Sequence, residues 1–342
     1  MLEIANRVDE NQWHEFLLSQ SEATLYHTPE WKVFLEKTFD YKPHYLFATD
    51  ESDRLTGVLP LFQVKSRLTG NRLCSVPFSH VCGCLGDKNT CSALLVEAVA
   101  IATRHHIEQI EIRNTVEISC FQEMNAFCTH VLGLSQNAED TWKQLDKGSV
   151  RWAVKKAERL GVSVVSSTNL DDLREFYELN CITKQSLGVP CHPWKFFKNL
   201  FSILDGYVRM YLAQRDGNIV AGGVMEYYKD RVLYGYGAAD PDHLNLHPYN
   251  AFIWKSIEEA CAKGYRIYDF GRTSYDNTGL IQFKRKWGVQ EKRLMYSFFP
   301  EYSKSAIIER DSIMHQLGSS ATQTMPRFAY KTFSTLVFPH LG

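Results

Sequence analysis

The segment 279–288, GLIQFKRKWG, sets three cations, Lys284, Arg285 and Lys286, between Phe283 and Trp287. Phe283 and Trp287 are four residues apart and share one face of a short helix, the face that turns to a core. Lys284 borders that face, at a cleft edge, where an ammonium can stabilise an oxyanion or a diphosphate. A solvated basic face is the plain alternative. Just upstream, in IYDFGR, Asp269 and Arg272 fall at the C-terminal end of a strand, where open αβ sheets place ligands. An arginine there can fork to a phosphate or carboxylate. Equally, Asp269 and Arg272 can pair with each other to hold the turn. In the strand YGYGAA, Tyr234 and Tyr236 alternate, which puts both on one face of a sheet. A polar loop then leads to a helix starting at Pro248, whose free backbone N–H groups can receive an anion. A basic stripe recurs every four residues at Arg151, Lys155 and Arg159, and such a stripe can meet phosphates or stay solvated.

His80, Cys82, Cys84 and Cys91 invite a zinc reading, but no CxxC pair is present. The expectation is packed thiols, with no disulfide and no metal among Cys74, Cys82, Cys84 and Cys91. GxxxxGK[ST], HExxH, GxSxG and a first-strand GxGxxG are all missing, which removes the main support for kinase, zincin, hydrolase and dinucleotide-dehydrogenase readings. No serine or cysteine nucleophile with a histidine base is identifiable. The 342 residues, 44% hydrophobic and 23% charged, describe a globular protein of about two domains. A net charge of −1 argues against a protein that coats nucleic acid electrostatically. No run approaches the ~18 apolar residues of a membrane span. The start, MLEIANRVDENQW, lacks a basic n-region and an apolar h-region. Nine scattered cysteines fit reduced thiols, so the expected location is the cytoplasm.

Positioning these residues requires strands and helices in a definite order. Helices are expected over 11–19 and from a Thr28 cap with Pro29 at its first position. Strands follow at 44–48, 57–64 and 71–76, then a helix over 90–103 and strands over 107–112 and 128–134. One long helix is expected over 139–160, ended by Gly161. Beyond it come a strand at 162–165, helices at 171–187 and 193–203, strands at 207–213, 220–227 and 232–239, a helix at 248–262 and a strand at 266–270. A short helix at 279–287, a strand at 293–299 and helices at 303–317 and 328–337 complete the chain. YLFATDESDRLTGVLPLF is mirrored by YLAQRDGNIVAGGVMEYY, and HIEQIEIRN by YRIYDFGRT, at an offset of roughly 160 residues. Two copies of one αβ unit explain this order.

The pieces YHTPEW (26–31), IEIRN (110–114), RWAVKKAERLGV, YGYGAAD, HPYNAFIWKSIEEACAKGYRIYDFGRT and GLIQFKRKWG together resemble the FemAB-like branch of the GNAT acyltransferase superfamily. That branch includes peptidoglycan bridge aminoacyltransferases and proteins of exopolysaccharide gene clusters. The resemblance implies an α/β (α+β) fold of two tandem GNAT-like domains, each a mixed, mostly antiparallel sheet flanked by helices. It divides the chain into 1–145, 146–300 (with the YDFGR and FKxxWG motifs) and a C-terminal helical tail over 301–342.

The implied activity is acyl or aminoacyl transfer to an amine of a cell-envelope sugar or peptide precursor, direct and without a covalent enzyme intermediate. The implied donor is an aminoacyl-tRNA or an acyl-CoA, with no bound cofactor. No long heptad run leaves room for the coiled-coil arm of some family members. The typical acyl-CoA pyrophosphate loop is not evident at 235–240. By resemblance, Lys284 stabilises the reacting adduct. Tyr236, Asn250, Asp269, Arg272 and Phe283 join it as substrate-binding residues, with Arg151 and Lys155 as phosphate contacts and Arg113 and Trp31 from the matching first-half motifs. Two other readings stand beside this one: an acyl-CoA-dependent N-acyltransferase of exopolysaccharide or lipid biosynthesis, and a non-catalytic GNAT-like module that binds a glycan precursor. Peripheral membrane contact through the tail is a further expectation.

Overall fold

The structure, a computed structural model, describes residues 3–300 and 320–342. The expected helix at 303–317 lies outside the described residues. The chain forms two compact units, one of residues 3–126, 294–300 and 339–342, the other of 127–293 and 320–338. This division differs from the one read in the sequence: residues 127–145 belong with the second unit, and the tail contributes to both.

In the first unit, α1 (Glu10–Ser19) starts at an Asp9 cap, and α2 (Pro29–Phe39) starts at Thr28, whose hydroxyl accepts from Trp31 N. β1 (Glu3–Ala5), β3 (Leu46–Thr49) and β4 (Leu55–Leu59) form a small antiparallel sheet in the order β1-β3-β4. β2 (Lys42–Pro43), β5 (Phe62–Ser66), β6 (Gly70–Cys74), β7 (Gln109–Ile112) and the end of β15 (Gln290–Phe299) follow one another in a second path. The expected single strand over 57–64 is two strands. Pro60 has no N–H to donate, so the ladder cannot continue through it. α3 (Lys88–Arg104), capped by Asp87, connects β6 to β7, which pair in parallel. Its Leu94, Leu95 and Ala98 close a core with Leu46, Leu59, Leu73 and Ile110.

The second unit begins within β8 (Gln122–Gly133). The expected long helix over 139–160 is three pieces: α4 (Ala138–Gln144), a π-helical turn at Lys147–Arg151 and α5 (Trp152–Arg159). Leu145 is extended, and Asp146 starts the next turn by accepting from Ser149 N and Oγ. An Asp cap followed by Gly148 stops one helix and begins another. Then come β9 (Ser163–Ser167), α6 (Leu170–Ser186), α7 (Trp194–Ile203), β10 (Val208–Arg215), β11 (Asn218–Tyr228), β12 (Arg231–Ala239), α8 (Pro248–Ala262), β13 (Ile267–Asp269), β14 (Thr273–Ser274) and α9 (Thr278–Arg285). From β8 the strands run β8-β13-β12-β11-β10-β9, with β14 also on β8. β12 and β13 are parallel, joined through α8, and the other pairs are antiparallel. α10 (Ser320–Thr324) and α11 (Arg327–Val337) pack on this unit, where Tyr330 Oη donates to Val189 O at 2.6 Å.

Each unit therefore repeats a hairpin, a long helix and a strand parallel to the one before the helix. α6 and α8 cover opposite faces of the second sheet. A Cβ on Gly222 would meet Phe176 of α6, and one on the next residue, Gly223, would meet Phe252 of α8. None of the described helices is long and apolar enough to cross a membrane.

Candidate functional site

α9 lays Lys284 inward, under its own helix. Asn277 caps the helix by accepting from Leu280 N, and the following turns bury Ile281 and Lys284 on one side. Lys284 is 3% exposed. Its Nζ donates to Gly271 O at 2.7 Å and to Thr273 Oγ1 at 2.7 Å, which leaves a third N–H for a ligand. Burial pulls its pKa down to about 8, opposed by the nearby Asp269 carboxylate and Cys128. A desolvated ammonium close to neutrality, anchored on a backbone carbonyl at a strand end, suits charge stabilisation in a dry cleft.

Asp269 is the hub of the neighbouring turn. It accepts from Thr129 Oγ1 and from Gly271 N at 2.9 Å. Its ion-pair partner is Arg231, with Nη1 3.6 Å from Oδ2, not Arg272. Arg272 is half-buried, and its guanidinium sits 4.3 Å from the centre of the Phe127 ring. Gly271 has φ 71°, a conformation that favours glycine and lets its N–H turn back to Asp269. Phe283 is part-buried against the second unit's core, 6.1 Å from Trp287, as the four-residue spacing requires.

Tyr234 and Tyr236 do not share a face. The register of β11 on β12 shifts between Val224 and Met225, so Val224 pairs with Tyr236 and Met225 with Tyr234. That bulge places an extra residue, Gly235, between the tyrosines and reverses the alternation. Tyr234 packs on Phe252 of α8 at 5.9 Å, whereas Tyr236 meets His192, Phe196 and Phe197 at 5.0–5.6 Å. Tyr236 thus belongs to a different side-chain group from Lys284. Asn250 lies in the first turn of α8, half-buried, with its N–H directed to His247 O.

The expected basic stripe is broken by the π-helical turn. Arg151 sits in that turn, and Lys155 is exposed on α5. Lys156 instead covers the Trp152 ring at 4.7 Å, and Trp152 meets His247 beside the start of α8. Two candidates from the first unit are packing residues. Trp31 is 0% exposed and faces Tyr26 and Phe34, so it has no surface to offer a ligand. Arg113 is buried too, and donates to Glu111 Oε1 at 3.0 Å and to Ser79 O at 2.7 Å.

Residues 147–285 match the acetyltransferase (GNAT) domain family model, a span that carries α5 through Lys284. A curated relative, the UDP-N-acetylmuramoylpentapeptide-lysine N(6)-alanyltransferase of Weissella viridescens, is 24% identical over 126 residues, 36% of this chain and 37% of the relative. Among solved structures, FemX superposes with a TM-score of 0.69 at 17% identity, covering 86% of this chain and 96% of its own.

The second unit contains the residues that match a GNAT acetyltransferase domain, and the chain is similar in sequence and fold to FemX-type proteins.

The chain spans little more than a third of the length of that curated relative. The tandem GNAT protein of the clavulanic acid pathway has a TM-score of 0.52 at 13% identity, over 89% of this chain and all of its own. The L-PGS structure from Bacillus licheniformis gives 0.59 at 13% identity, over 92% and 99%. These likenesses establish the fold as tandem GNAT.

In this GNAT domain the partners of Lys284 and Asp269, Thr273, Thr129 and Arg231, were not among the residues singled out from sequence. Thr273 stands right after the DFGR motif, which was the available signal. Cys128 and His130, spaced C-T-H on β8, were also passed over. The cysteines are free thiols, with Cys74 and Cys82 buried.

Proposed function

We propose that the chain transfers an aminoacyl or acyl group to an amine of a cell-envelope peptide precursor, forming an amide. The observation that carries this reading is the desolvated Lys284 ammonium at the strand end of a FemAB-like GNAT domain. The curated relative's acceptor, the lysine amine of a UDP-N-acetylmuramoylpentapeptide, supplies the acceptor class. The neutral amine attacks the acyl carbon and a tetrahedral oxyanion forms. The C–O bond to the tRNA terminus then breaks, and the amine's proton leaves with the departing hydroxyl. The third N–H of Lys284 stabilises the oxyanion. Positioning and charge stabilisation carry the rate, without a covalent enzyme intermediate. Asp269 holds the turn, and Asn250 and Arg272 contact the substrates. A tRNA donor places the reaction in the cytoplasm.

The test is to incubate the full chain with UDP-N-acetylmuramoylpentapeptide and radiolabelled alanyl-tRNA, and separately with radiolabelled acetyl-CoA. Label in the pentapeptide from alanyl-tRNA supports the proposal. Label from acetyl-CoA alone replaces it with the acyl-CoA reading. Tight pentapeptide binding with no transfer from either donor replaces it with the binding module.

A further inference from the structure

The groups that hold Lys284 continue along one face of the sheet into a cluster that the proposed reaction does not use. Cys128 and His130 are two residues apart in β8, so both side chains leave the same face. Thr273, which accepts from Lys284, is the strand partner directly opposite Cys128. Glu291 reaches the same place from β15, the next strand in the sheet. The Cys128 sulfur, a His130 ring nitrogen and a Glu291 carboxylate oxygen all lie within 4.8 Å of one another. Cys128 and His130 are fully buried. His130 Nε2 already faces Glu291 Oε2 at 3.3 Å, and its buried Nδ1 has no hydrogen-bond partner among the described residues. A buried ring nitrogen without a hydrogen bond is costly unless something else takes its lone pair.

We propose that Cys128, His130 and Glu291 form a site for a thiophilic divalent cation, zinc foremost. The donor set is one soft sulfur, one imidazole nitrogen and one carboxylate oxygen. That set suits zinc and its cobalt analogue and disfavours magnesium and calcium, which demand oxygen. Metal–ligand bonds of 2.0–2.3 Å in a tetrahedron put ligand atoms about 3.3–3.8 Å apart. The His130–Glu291 separation of 3.3 Å already has that length. The other two edges, both to the sulfur, need closing by at most about 1.2 Å, within the reach of side-chain rotations. On binding, the thiol proton of Cys128 passes to solvent and the sulfur becomes a thiolate ligand.

Arg285 competes for the same carboxylate, with Nη2 at 2.8 Å and Nε at 3.1 Å from Glu291 Oε2. Its side chain is largely exposed and can swing into water. The occupied site would tie β8 to β15 beside the anchor of Lys284. This inference stands on the cluster alone and does not depend on the transferase reading.

The test is a cobalt(II) titration of the full chain in a phosphine reductant, followed by zinc competition. The expected result is one equivalent of cobalt with a near-ultraviolet thiolate-to-cobalt band and tetrahedral visible bands, all erased by zinc. Cys128→Ser should remove the thiolate band. Glu291→Gln, a half-exposed position that leaves the fold intact by circular dichroism, should weaken binding at least tenfold. Arg285→Ala should strengthen it severalfold by releasing Glu291. A wild-type chain without the band, a band that survives Cys128→Ser, or affinity indifferent to Glu291→Gln overturns the site.

Discussion

Replacing Lys284 by methionine keeps most of the stem and removes the charge. The wild-type ammonium is nearly sealed from water, and burial pulls its pKa from 10.5 to about 8. The folded pKa lies below the unfolded one, so between about pH 8 and 10.5 the unfolded chain binds more protons. Raising the pH through that window therefore stabilises the folded state, by up to about 3 kcal/mol. Methionine cannot titrate. The stability of wild type minus Lys284→Met should climb by about that amount between pH 7.5 and 10.5, read from urea unfolding. The variant also leaves Gly271 O and Thr273 Oγ1 without their donor, a cost of about 1–3 kcal/mol that does not vary with pH. Only the pH-dependent part is diagnostic, and it needs no substrate. In the transfer assay, Lys284→Met should lower turnover by about two to three orders of magnitude. Wild-type turnover should fall about tenfold between pH 7 and pH 9, as the charged fraction drops from about nine in ten to about one in ten. A stability difference that stays flat with pH refutes the buried ammonium. Wild-type turnover in Lys284→Met refutes its catalytic role.

His27 is buried, and its pKa is held down to about 4, below the ordinary 6.5, so the unfolded chain binds more protons between those values. Stability should fall as pH drops through that window, by up to about 3 kcal/mol, and His27→Gln should lose this dependence in urea unfolding at pH 7 and pH 4.5. A Cβ on Gly237 would sit 1.9 Å from Tyr234 Oη, so Gly237→Ala should cost about 1–3 kcal/mol in thermal unfolding, part of it recovered by adding Tyr234→Phe. No recovery would mean that the ring does not lie over Gly237. Trp31→Ala should cost about 3–5 kcal/mol, while Lys155→Ala should stay within about 0.5 kcal/mol, as expected of core and surface positions. Equal effects in denaturation would contradict both placements.

Much of the fold was legible where local rules act alone. The Thr28–Pro29 start of α2, the strand after α8 and the inward face shared by Phe283 and Trp287 all follow from spacing and caps. The misreadings have local causes too. Asp146 and Gly148 interrupt a helix whose apolar period continues, and Pro60 splits a strand whose hydrophobicity continues. The bulge at Gly235 is different. Strand alternation predicts one face for Tyr234 and Tyr236, and only the register of β12 on β11 decides otherwise.

By itself, the sequence determined the order of elements, the doubling of the αβ unit and the motifs that end on Lys284, because caps, periodicity and turns act over a few residues. Only the tertiary structure decided which charged groups meet. Asp269 pairs with Arg231, thirty-eight positions earlier in the chain, instead of Arg272 three positions later, because parallel pairing of β12 with β13 makes them diagonal neighbours across the two strands. Likewise Lys284 is buried rather than solvated because α9 lies over the carbonyl of Gly271 and the hydroxyl of Thr273, which replace the water it gives up. Periodicity could place Lys284 beside a buried face but could not supply those acceptors. Desolvation, and with it the lowered pKa, arises from contacts across the fold that no local spacing encodes.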